Sequence, residues 1–295
     1  MFGSSLLLIS LAQAPAAPPS VTLDFVLTSS RGEAPADLTP AEVTVKIGGK
    51  VRPLLSLEAV DTQADGRDIL LVVEEATLYG IEKVAIDAIN KAVDSLQPRD
   101  RITYASTRGG KAAVEPGADV TKKKAAAMVV GPGELFSCLS DLLLNIETFA
   151  RRLPRGRTSF LAVIGRGHPE GAAARPEDEG GCTPRRDAFR QTAKIISAAQ
   201  INLHLFTVDH TARSEGFDTV ASNTGGQSSL LTWSSSDAIV RALMATRRVY
   251  RATLAADPAA HASPQRVEVK VKRSDVKVRT SPTLELHPSP LPTKK

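Results

Sequence analysis

Aromatic side chains are scarce in this sequence. They make up 4% of 295 residues against 42% hydrophobic residues overall, so aliphatic side chains must fill the core. Proteins that hold unpaired bases stack them on aromatic rings, so nucleic acid is disfavoured as a ligand. Cysteine is scarcer still: Cys138 and Cys182 are the only two. Neither stands in a Cys-x-x-Cys or Cys/His spacing, which argues against a zinc site. No apolar run approaches the roughly 20 residues that span a bilayer. The nucleophile elbow G-x-S-x-G and the zinc-protease helix H-E-x-x-H are both missing. Thr224-Gly225-Gly226 lacks the lysine of a phosphate loop and reads as a turn. His204 sits inside an apolar strand and is expected to be a core histidine with its hydrogen bonds met. Lys122-Lys123-Lys124 is expected to be a solvated helix face. No constellation supplies a nucleophile, a base and an orienter together, so no catalysis and no cofactor are expected.

Charge of one sign is missing from the end of the chain. Residues 241–295 carry 12 Lys/Arg against 4 Asp/Glu, and the remainder carries 25 against 28. The net +5 is therefore a +8 end on a −3 body. A basic end suits an anionic partner or a solvated strand face and tail. Residues 1–14 hold a short apolar core and the small-x-small pattern Ala12-Gln13-Ala14, as in a secretory signal peptide. An exported protein, periplasmic or secreted, is expected.

The stretch that organises the rest is Asp68-Ile69-Leu70-Leu71-Val72-Val73-Glu74-Glu75. A short apolar run ending on two carboxylates suits a strand buried on both faces. Ile81, Val84, Ala85, Ala88, Ile89, Ala92, Val93 and Leu96 then repeat at helical spacing until Gln97-Pro98 stops them. Further strands are expected at 102–106, 160–164 and 201–208, with an edge strand at 112–114. Helices are expected at 121–129, from Leu135 to Phe149, from Phe189 to Ala199, and from an N-cap at Ser236. Strands alternating with helices imply a doubly wound, mostly parallel sheet covered on both faces, Rossmann-like in plan. Strand-like pieces at 21–27, 43–47 and 51–59 precede it, with Gly48-Gly49 as a hairpin turn. A strictly alternating pair at 267–271 and 276–279 follows, expected as a β-hairpin returning to the N-terminal β unit. The division expected is residues 15–67 as that unit, 68–255 as the α/β domain, 256–286 as the hairpin and 287–295 as a flexible tail. The Gly- and Pro-rich stretch 165–184 is a long loop.

This order of elements resembles a von Willebrand factor type A domain, in particular the bacterial exported group called VWFA-related. Three segments carry the resemblance: Thr28-Ser29-Ser30-Arg31-Gly32 with Leu38-Thr39-Pro40-Ala41-Glu42-Val43, then Ser95-Leu96-Gln97-Pro98-Arg99-Asp100-Arg101-Ile102, and Arg247-Arg248-Val249-Tyr250 before the closing strands. The family often binds a divalent cation through Asp-x-Ser-x-Ser, a Thr and a later Asp, all oxygen ligands. Here the first group reads Glu74-x-Ala76-x-Leu78, or Glu75-x-Thr77-x-Tyr79 one residue on. Ser137 matches the Thr, with Asp141 one turn later, and Arg166 stands where the last Asp would be. A guanidinium cannot ligate a cation, so the resemblance implies a degenerate metal-ion-dependent adhesion site. Arg166 is expected to face Glu74 or Glu75, or else solvent. It further implies a noncatalytic module that takes a protein partner on its top face without metal. Two alternatives stay open: a Mg²⁺-dependent site built on Glu74, Ser137 and Asp141, and an anion or nucleic-acid binder using the basic end. Cys138, near the start of its helix, and Cys182, in the 165–184 loop, fall at the same edge of such a fold and are candidates for a disulfide. The partner's identity and the oligomeric state are not legible.

Overall fold

The computed structural model describes residues 20–29, 35–62, 66–74, 82–106, 113–115, 139–153, 159–165, 184, 186–208, 215–256, 265–281 and 283–284. In chain order the strands are β1 (Ser20–Ser29), β2 (Val43–Ile47), β3 (Lys50–Arg52), β4 (Leu54–Asp61), β5 (Asp68–Val73), β6 (Arg101–Ser106), β7 (Ala113–Glu115), β8 (Ser159–Gly165), β9 (Asn202–Thr207), β10 (Ser228–Leu230), β11 (Arg248–Ala255), β12 (Gln265–Val271), β13 (Val276–Arg279) and β14 (Thr283–Leu284). The helices are α1 (Glu82–Asp94), α2 (Leu139–Arg152), α3 (Arg186–Ala198), α4 (Glu215–Asn223) and α5 (Ala238–Ala245).

Six strands form one sheet in the order β10-β9-β8-β5-β6-β7. Five run parallel, and β7 closes the edge antiparallel to β6. Every residue of β5 is buried, as its unbroken apolar run requires. Ile69, Leu71 and Val73 face a layer that includes Ala85 and Ile89 of α1 and Ile239 and Leu243 of α5. Leu70 and Val72 face the opposite layer, with Leu142 and Ile146 of α2, Ile196 of α3 and Phe217 and Val220 of α4. This is the doubly wound, mostly parallel sheet with helices on both faces that the alternation of strands and helices implied, joined to a β-rich part. Among the described helices none is long and apolar enough to cross a membrane.

The β-rich part is two four-stranded antiparallel sheets, β13-β1-β11-β4 and β14-β12-β2-β3. Between them lie Leu23, Phe25, Leu27, Val45, Ile47, Tyr250, Leu254, Val267 and Val269. Gly48 and Gly49 turn β2 into β3 with φ of 59° and 78°. Both central residues then have positive φ, the conformation that favours glycine in tight hairpins. Pro53 divides the expected 51–59 strand, and its halves β3 and β4 join different sheets. Two further expectations are corrected here. The α/β domain does not run to 255, because β11 pairs between β1 and β4. Nor do β12 and β13 form a hairpin: β12 pairs with β2, and β13 pairs with β1. The two strands belong to opposite sheets of the sandwich, so the turn between them is a corner. At that corner Arg273 bonds Asp37 and Glu42, tying the segment before β2 to it.

The β part meets the α/β sheet at the edge where its parallel strands begin. Gln200, just before β9, donates to the Thr22 carbonyl, and Ser281 donates to the Asn223 carbonyl. Thr224 is fully buried there, and its hydroxyl accepts the Leu203 amide at 3.0 Å. At the same edge Arg67 is 0% exposed and Asp100, the residue before β6, receives it, 2.7 Å from Nη2 to Oδ2. Arg67 Nη1 also donates to the Leu243 carbonyl and the Thr246 hydroxyl of the α5 end. One residue on, the order of charge inverts, and Arg101 pairs with Asp68 at 2.7 Å. His204 lies in β9, stacked against Phe160 with ring centroids 4.9 Å apart. It is a core histidine, but neither ring nitrogen has a hydrogen-bond partner among the described residues, contrary to expectation.

Candidate functional site

From β5 the chain passes to β6 and β7 on one side, and from β8 to β9 and β10 on the other. The sheet's order therefore reverses between β5 and β8. In open α/β sheets the crevice at the carboxyl ends of such a pair of strands is where ligands bind. The residues that end this pair are Glu74 and Gly165.

Glu74 continues β5 by one residue, and its amide donates to the Ile164 carbonyl at 2.9 Å. Gly165 in turn accepts the Val208 amide at 3.0 Å. These bonds hold both backbones in the sheet up to its rim. Glu74 is only 2% exposed, although it stands at the end of its strand. A Cβ placed on Gly165 would collide with the Glu74 carboxylate. The carboxylate thus occupies the volume that any larger residue at 165 would fill. Gly165→Ala is expected to lower stability by about 1–3 kcal/mol through overpacking. The same change in a Glu74→Ala background should cost distinctly less, which a double-mutant cycle of urea midpoints reads directly. Additive costs would show that the two residues do not share this space.

Of the residues singled out in the sequence, Glu74 is placed at this edge. Asp141 lies on the first turn of α2. Glu75, Thr77, Ser137 and Arg166 lie outside the described residues, as do Cys138, Cys182, the 121–129 helix and the 1–14 segment; of the expected 165–184 loop, Gly165 instead ends β8 and 166–183 lie outside them. Among the described residues no group of three or more His, Cys, Asp or Glu is placed to hold a metal ion.

The sequence reading missed a second feature of the same edge. β10 runs parallel to β9, so the chain beyond Leu230 emerges where the strands end. The Leu231 amide donates to the Thr207 carbonyl there, and a short 3-10 turn, Trp233–Ser235, follows. Thr232 and Ser235 exchange side-chain bonds that fix this turn. Trp233, the single tryptophan, is left 61% exposed. Lys83, in the first turn of α1, stands 5.5 Å from its ring centroid, a cation–π contact. Below it Lys91 donates to the Ser236 hydroxyl, so Ser236 is a buried link between α1 and α5. The N-cap of α5 is Asp237, which makes no side-chain cap bond, and not Ser236. Helix α4 and strand β10, between 215 and 230, were also missed. Phe217, Val220 and Ala221 carry a helical spacing, but over only nine residues that include Gly216.

No family model matches the chain, and no curated protein matches it either. Among solved structures it is similar to a von Willebrand factor type A protein from Catenulispora acidiphila, at 9% identity and a TM-score of 0.47, over 91% of this chain and 73% of that one. It is similar to proximal thread matrix protein 1 of the mussel byssus, described with a zinc-occupied MIDAS motif, at 12% identity and a TM-score of 0.46. That match covers 67% of this chain and 49% of the other, so the chain spans about half the length of the mussel protein. It is also similar to the manganese-loaded TRAP protein of Plasmodium vivax, at 13% identity and a TM-score of 0.44, over 79% of this chain and 98% of that one.

Proposed function

We propose that the chain is an exported, periplasmic or secreted, noncatalytic module that binds a protein partner on the carboxyl-end face of its α/β sheet, without a metal ion. The observation that carries this reading is the pairing of two features at one edge. Glu74 is packed at the switch point against Gly165, and Trp233 stands exposed on the rim beside Lys83. Tryptophan is enriched among the residues that dominate binding energy at protein interfaces. The reading without metal rests on residue types: Ala76 and Leu78 stand at the two hydroxyl positions, and Arg166 at the last carboxylate position. On this reading the adhesion site is degenerate and the face is used for contact alone.

The test places a photoreactive amino acid at position 233, and separately at the exposed position 277 of the β part, in the exporting cell. A discrete adduct from 233 and none from 277 is expected. Equal labelling from both, or none from 233, would overturn the reading. Calorimetric titration of the purified chain with Mg²⁺ is expected to show no saturable heat. Saturable binding that Glu74→Gln removes would establish the metal-dependent alternative instead.

A further inference from the structure

The sheet β14-β12-β2-β3 has two unlike faces. Val43, Val45 and Ile47 of β2 and Val267 and Val269 of β12 point into the sandwich. The alternate positions face outward: Thr44 and Lys46 on β2, and Arg266, Glu268 and Lys270 on β12, the last three exposed. The register sets Lys46 opposite Glu268, and Val51 of β3 opposite Lys46. Lys270 pairs with Glu268 at 3.0 Å. The Glu268 carboxyl is held below its ordinary range, first by that bond, then by the nearby charges of Lys46 and Arg266. Three cations thus surround one anion, and the exposed Lys272 extends the row beyond β12. Diagonal neighbours on such a face are about 7–8 Å apart. The face is a shallow basic plane, not a groove.

We infer that this outer face, through Lys46, Arg266, Lys270 and Lys272, docks the protein on an anionic lipid surface. The inference concerns a different sheet from the partner-binding edge and stands independently of it. A bilayer with anionic headgroups is a plane of negative charge that attracts basic segments without needing a pocket. Val51 is 61% exposed on the rim of this face, an apolar side chain that can enter the headgroup region. The same face is poorly suited to single-stranded nucleic acid. No aromatic residue stands among the outward positions of β2, β3 and β12 to stack a base.

The test is co-sedimentation of the full chain with phosphatidylcholine vesicles made with and without phosphatidylglycerol. Binding is expected to the anionic vesicles only. It should collapse when salt shortens the Debye length to about 3 Å. Each cation removed should weaken binding about 5-fold, so Lys46→Gln/Lys270→Gln and Arg266→Gln/Lys272→Gln should each weaken it about 25-fold. Lys194→Glu, on α3, should leave it nearly unchanged. These neutral replacements sit at solvent-facing positions, and an unchanged melting temperature checks that each variant folds. Equal binding to neutral vesicles, or an equal loss with Lys194→Glu, would overturn the inference. Duplex DNA or RNA bound through the same residues, with no lipid binding, would overturn it in favour of a nucleic-acid partner.

Discussion

Arg67→Met should destabilise the protein by about 3–5 kcal/mol, the cost of leaving one member of a buried ion pair alone. Asp100 has no exposed side-chain surface, so the orphaned carboxylate cannot turn to water. The Leu243 carbonyl and the Thr246 hydroxyl would lose their guanidinium donor in the same step. The position matters because it clamps β5, β6 and the end of α5 together at one edge. In the folded protein the Asp100 carboxyl is held below its ordinary range, its bonds from Arg67 and the Gln97 amide outweighing burial, which works against them. The measurement is a urea titration, read from the midpoint at constant slope. Asp100→Asn in the Arg67→Met background should recover part of the loss. The amide oxygen can still accept one of the two backbone amides that reach the carboxylate, Arg67 at Oδ1 or Gln97 at Oδ2, and the buried charge is gone. A single substitution costing less than 1 kcal/mol would show that the pair is not a structural clamp.

The second large effect is acid sensitivity from His204. Burial, and then the charge of Arg279, push its pKa from 6.5 down to about 3. The unfolded chain takes up the proton at ordinary pH, while the folded protein resists it. Stability from this group is therefore fully present above about pH 6.5 and is lost as pH falls toward about 3. The loss is about 1.4 kcal/mol per pH unit, or roughly 2 kcal/mol at pH 5. His204→Phe keeps a ring stacked between Phe160 and Phe206 and removes both unpartnered nitrogens. It should raise stability at pH 5 by more than at pH 8. The difference between the two proteins, measured by urea unfolding at both pH values, isolates this group from the other titrating residues. A pH-independent difference would mean that His204 is not held neutral in the core.

Much of the fold is legible in the chain itself, and the reason is the same in each case. The run from Ile69 to Val73 has no polar residue to face water, so only a strand covered on both sides can hold it. The α1 spacing places Ala85, Ala88, Ile89 and Ala92 on one face, which fixes both the helix and the side it covers. Gly48-Gly49 is read correctly because its backbone geometry is local. The errors fall where pairing is not local. Alternation in β12 and β13 reports that each has one buried face, and it says nothing of which sheet buries it. Alternation alone made them a hairpin; β1 and β2, more than two hundred residues earlier, separate them.

The candidate site divides in the same way. Sequence alone determined that a carboxylate ends the central strand, since a buried apolar run must close on its first charged residue at the rim. Tertiary structure decided that Glu74 lies against Gly165, ninety-one positions on, at the point where strand order reverses. It decided too that Trp233 stays in water beside Lys83, while His204 and Arg67, polar in sequence, do not. The physical reason is that burial is a property of what packs on a side chain, and those contacts come from segments far apart in the chain.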